Sequence, residues 1–116
     1  MLTISKEQLA ALAVKWEESR RAAFVARLRQ ELPDQVGALP EQELKKQVED
    51  GCKAVDVLEI KDTEHIYRFL CLRYLPPYIW ERPAAQEMLV RVLTDTSVDA
   101  DRRLQFVETS IAVERP

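Results

Sequence analysis

The residues of this chain that could do acid–base, nucleophilic or metal chemistry are few. There is one histidine, His65, beside Glu64, and there are two cysteines, Cys52 and Cys71. Carboxylates pair closely at Glu17/Glu18, Glu41/Glu43 and Asp99/Asp101. A zinc centre needs three or four converging ligands, and one His with two separated Cys offers no ligand set at recognisable spacing. A Cys–His nucleophile pair within one helix is excluded, because Cys71 lies six residues from His65 on a different helical face. The carboxylate pairs fall at helix starts or on solvated faces, where the helix dipole and solubility account for them. Walker, GxSxG and HExxH motifs are all missing. The expectation is a protein with no catalytic residue, no cofactor and no metal.

One constellation fits recognition better than catalysis. Tyr74, Tyr78 and Trp80 cluster within seven residues, Arg82 follows, and Pro76, Pro77 and Pro83 bound the segment. Tyr, Trp and Arg dominate the energetics of protein interfaces. Prolines hold such a loop at low entropic cost. Tyr74, Tyr78, Trp80 and Arg82 are therefore the predicted partner-binding residues. The competing reading makes Tyr78, Ile79 and Trp80 an apolar plug at the end of a helical bundle.

Composition narrows the frame that must position these residues. A chain of 116 residues, 47% apolar and 32% charged, is predicted to be one globular domain spanning 1–116. Only 2 glycines argue against a turn-rich β-fold and a phosphate-cradling loop. The formal net charge is −3, and no sustained basic stretch occurs, so nucleic acid is not an expected partner. Arg20, Arg21, Arg27 and Arg29 interleave with Glu17, Glu18 and Glu31, the pattern of opposite-sign pairs on a solvated helix. The first residues carry no basic segment followed by an apolar run, and no apolar stretch is long enough to span a membrane. A cytoplasmic chain with reduced thiols and no membrane contact is expected.

Helical periodicity runs through the chain and predicts an all-α bundle of about five helices. Ser5 and Gln8 form a capping-box pattern ahead of a long first helix over 6–32. Leu9, Leu12, Ala13, Trp16, Ala23 and Phe24 share its apolar face, Arg20 and Arg27 interrupt it, and Leu28 and Leu32 drift off it. Pro33 and Asp34 end this helix. Pro40 suits the first turn of a second helix, lined by Leu44, Val48, Gly51 and Val55. Gly51 suits a close helix–helix approach; a bend is the alternative. Asp62 caps a third helix with Ile66, Phe69 and Leu70 inward. A loop over 75–83 follows. Pro83 opens a fourth helix with Met88, Leu89, Val92 and Leu93, and Asp99 caps a fifth with Leu104, Val107 and Ile111.

Several of these segments resemble a family of small helical bacterial proteins encoded beside type VI secretion effector, spike-tip (PAAR) and chaperone genes. The resemblance rests on Phe24 to Leu28, on Gly51-Cys52-Lys53-Ala54, on Ile60 to Leu70 and on Leu75 to Pro83. The family's loop glycine is Pro76 here, and its aromatic–acidic pair is Ile79-Trp80. The resemblance implies an accessory protein or co-chaperone that associates with an effector chaperone during loading. It carries over no catalytic or binding residue. The expected function is thus a non-enzymatic, protein-binding adaptor whose partner is an effector chaperone, effector or toxin. An immunity protein that blocks a cognate toxin is the nearest alternative. A small DNA-binding regulator is the alternative from another class, and it lacks a basic recognition helix.

Overall fold

The computed structural model describes residues 5–74 and 81–113. The fold is all-α, with no strand among the described residues. The helices are α1 (Lys6–Glu31), α2 (Pro33–Val36), α3 (Glu41–Val57), α4 (Thr63–Cys71), α5 (Pro83–Leu93) and α6 (Ala100–Val113). A 3-10 turn, Leu72–Tyr74, extends α4. The chain divides into two compact units, Met1–Glu49 and Asp50–Pro116, so the boundary falls inside α3.

In the first unit, the predicted capping box opens α1. Ser5 Oγ accepts from the Gln8 amide at 3.1 Å, and Gln8 Oε1 accepts from the Ser5 amide at 2.8 Å. Glu17 pairs with Arg20 at 2.9 Å and Arg27 with Glu31 at 3.1 Å, the i,i+3 and i,i+4 pairs expected of a solvated face. Pro33 does not simply stop the helix. The residue before a proline is pushed out of the α region, and Leu32 leaves it at φ −125° and ψ 53°. Pro33 then supplies a preset φ for the first position of α2, a four-residue helix absent from the sequence reading. α3 begins one residue after Pro40, whose carbonyl accepts from the Leu44 amide at 3.1 Å. Arg29 ties the connection together. It donates to Val36 O at 3.2 Å and Leu39 O at 2.9 Å, and it pairs with Glu41 at 3.2 Å.

Burial in α1 follows the predicted stripe at Phe24 and departs from it elsewhere. Phe24, Val25 and Leu28 are its buried residues, and Leu28 is sealed completely. Leu9, Leu12 and Trp16 are exposed. Arg20 and Arg27 stand on the predicted stripe, and their ion pairs hold that face at the water boundary. The C-terminal turns of α1 therefore bury a neighbouring face, the one carrying Leu28.

In the second unit, Gly51 of α3 packs directly against Leu70 of α4. A Cβ there would stand 2.3 Å from Leu70 Cδ2, so the glycine makes room for a buried leucine. α3 ends in a Schellman motif. Glu59 takes φ 55°, the Ile60 amide reaches Val55 O at 3.0 Å, and the Glu59 amide reaches Asp56 O at 3.4 Å. Asp62 caps α4 as predicted, accepting from the Glu64 and His65 amides at 3.0 and 3.2 Å. Ile66, Tyr67 and Leu70 bury its inner face. Leu72, Ala85, Leu89, Leu93, Leu104 and Val107 form one core cluster, with Leu58, Phe69, Met88 and Val92 packed against it. Pro83 opens α5, and Asp99 Oδ1 caps α6 by accepting from the Arg102 amide at 2.8 Å.

Candidate protein-binding surface

The predicted binding residues do not assemble into a described site. Tyr78 and Trp80 lie outside the described residues, so the choice between interface loop and core plug stays with the sequence reading. Tyr74 is half-buried at the end of the 3-10 turn. Arg82 is exposed at the N-cap position of α5, where its side chain makes no capping bond.

The polar residues that do converge form a clamp between α4 and α6. Arg68 donates to Asp101 Oδ1 at 2.6 Å and to both carboxylate oxygens of Glu108. His65 sits beside the same group, with Nε2 3.8 Å from Asp101 Oδ1 and Nδ1 4.0 Å from Asp62 Oδ1. The hydrogen bonds that Arg68 donates to Glu108 and Asp101 push its pKa above its ordinary value. The Arg68 hydrogen bond in turn holds the Asp101 carboxyl below the usual carboxylate range. A carboxylate so paired is ionised, which suits cross-linking two helices better than donating a proton. Sequence reasoning missed this cluster, because Arg68 and Glu108 stand 40 residues apart and no local pattern joins them.

Neither cysteine forms a disulfide; Cys52 is buried and Cys71 half-buried. Among the described residues, no three His, Cys, Asp or Glu side chains converge as a metal site. None of the helices described is long and apolar enough to cross a membrane.

Large apolar side chains left in water include Val57, Val90 and Phe106, and four more stand on the first half of α1. Trp16 is 74% exposed, Leu9 54%, Val14 55% and Leu12 42%. Leu9, Leu12 and Trp16 stand at i, i+3 and i+7, so they form one stripe about 10 Å long at 1.5 Å per residue. Val14 lies on the opposite face, which is exposed as well. Alanines 10, 11 and 13 are also exposed, which leaves the helix surface around the stripe smooth. Leucines and a tryptophan at this spacing are the anchors with which an amphipathic helix fills an apolar groove. The sequence marked this stripe as an apolar face without showing what covers it.

No family model, curated protein or solved structure matches the chain.

Proposed function

We propose that this protein is a non-enzymatic adaptor that binds another protein through the apolar stripe of α1. The observation behind this reading is the 74% exposure of Trp16 on the same stripe as Leu9 and Leu12. Leaving a tryptophan in water forfeits its burial energy, and tryptophan is the residue type most enriched at interface hot spots. Its mechanism is binding alone: α1 lays its stripe into an apolar groove, with the Glu17–Arg20 pair near the rim. The resemblance to helical co-chaperones supports type VI effector loading as the setting and an effector chaperone as the partner. In that setting the adaptor masks the groove until handover.

Affinity capture from the native cell tests this with the wild type and with Leu12→Ala/Trp16→Ala. An effector chaperone is expected with the wild type. Loss of two hot-spot side chains should weaken its binding by about 30-fold or more, with an unchanged melting temperature. Equal capture by the variant would remove α1 from the interface. A lone toxin as the captured protein would replace the loading role by an immunity role. Nucleic acid as the captured species would overturn the adaptor reading.

A further inference from the structure

Beyond the adaptor reading, α5, α6 and the turn between them enclose a cleft of about 420 Å³ lined by Arg91, Val92, Asp95, Val98, Arg102, Arg103 and Phe106. That volume lies in the range of small-molecule sites. Three guanidinium groups line the cleft against one carboxylate, and the remaining walls are apolar. Phe106 is exposed and Val92 and Val98 are half-buried, so apolar surface remains open beside the cations.

Arg103 is the most buried of the lining residues, with 2% of its surface exposed. A buried cation normally faces a carboxylate. Arg103 makes no ion pair among the described residues. Its Nη1 donates to Leu58 O at 2.8 Å and to Leu93 O at 2.6 Å, the carbonyls at the C-terminal ends of α3 and α5. These bonds hold the guanidinium in place and leave its other edge uncommitted. Nε is buried with no hydrogen-bond partner, and Nη2 has no acceptor among the described residues. The nearby carboxylates are engaged elsewhere. Asp95 Oδ1 accepts from the Ser97 amide and hydroxyl at 3.2 and 2.5 Å, and Asp99 caps α6 and pairs with Arg102 at 3.7 Å. Arg91 makes no ion pair among the described residues.

We infer that this cleft binds a carboxylate carried on a small apolar body. Nη2 is the unbonded donor of this guanidinium that solvent reaches, and a carboxylate accepts such an N–H in a charge-assisted hydrogen bond. Arg91 and Arg102 add positive potential at the rim, and Val92, Val98 and Phe106 receive the apolar body. A phosphate dianion fits less well, because apolar walls would strip its hydration without replacing the hydrogen bonds. A free organic acid and a peptide's C-terminal carboxylate share this chemistry.

The test is titration of isotope-labelled full-length protein followed by NMR. The probes are 4-methylpentanoate, 4-methylpentanamide, and a short peptide ending in leucine with a free or an amidated C-terminus. The expected result is saturable movement of the Val92, Val98 and Phe106 amides and of the Arg103 Nε–H signal. The free carboxylates should produce it and the amides should not. Tighter binding of 4-methylpentanoate assigns the site to free acids, and tighter binding of the free peptide assigns it to a chain terminus; either supports the inference. Arg103→Lys also removes carbonyl bonds that hold the fold, so the discriminating variant is the rim pair Arg91→Gln/Arg102→Gln. Both rim side chains are exposed. This variant should weaken carboxylate binding about threefold or more while its unliganded spectrum keeps the wild-type pattern. No saturable movement at tens of millimolar acid, or equal movement with the amides, would overturn the inference.

Discussion

α1 and α4 both carry large apolar side chains at helical spacing, yet they end in opposite environments. Ile66, Tyr67 and Leu70 of α4 are buried, whereas Leu9, Leu12 and Trp16 of α1 are exposed. The difference lies in what accompanies the stripe. On α4 the apolar face is dense within nine residues, and Gly51 opens a gap that Leu70 occupies. On α1 the stripe runs into Arg20 and Arg27, whose charges pair with Glu17 and Glu31 at the surface. Periodicity therefore identifies a face, and it does not identify what covers the face. An exposed stripe at core-like spacing is what a helix looks like when its partner is another molecule.

The sharpest way to break this comparison is to truncate one leucine or isoleucine on each helix. Ile66→Ala deletes a fully buried side chain and should cost about 2–5 kcal/mol in denaturant unfolding. Leu12→Ala should stay within about 0.5 kcal/mol, the usual range for surface positions. A loss at Leu12 as large as that at Ile66 would mean that the α1 stripe is covered in solution, for example by self-association, and dilution would then reduce it.

A smaller effect is expected at the clamp that joins α4 to α6. Arg68 bonds two carboxylates, so Arg68→Met should cost about 1 kcal/mol at neutral pH, the upper end for solvent-exposed pairs. Asp101 titrates below the usual carboxylate range when folded. Its contribution is therefore complete above its unfolded pKa of about 4 and is lost as pH falls through the lower folded value. The stability gap between wild type and Arg68→Met should narrow as the pH drops below about 4. A gap that is constant from neutral to acid would assign the loss to packing of the arginine stem instead.

The smallest change concerns the end of α3. Glu59 is a non-glycine residue at φ 55°, a conformation glycine adopts without a Cβ penalty. Glu59→Gly should stabilise the protein by about 0.5–1 kcal/mol, read as a raised melting temperature. A lowered melting temperature would show that unfolded-chain entropy outweighs the relieved strain.

Much of the helical frame was legible in the residues. Ser5 with Gln8, Asp62, Pro83 and Asp99 mark helix starts because each acts on backbone groups within one turn. The short helix α2 was missed, because Pro33 reads equally as a stop for the preceding helix and a start for the next. The candidate surfaces were less legible. Trp16 was placed on an apolar face by spacing, and spacing does not say whether that face is covered. Arg68 and Arg103 were not singled out, because their partners Glu108 and Leu58 stand 40 and 45 residues away in sequence.

The sequence by itself determined the all-α class, the caps and which side chains share a face. These depend on interactions spanning one to four residues, which any local stretch of chain contains. Only the tertiary structure decided that α1 keeps Leu9, Leu12 and Trp16 in water, and that Arg68 closes on two carboxylates. It also decided that Arg103 is buried against two helix ends with an edge to spare. Burial and long-range pairing depend on which elements meet, and that is a property of the folded chain rather than of any segment within it.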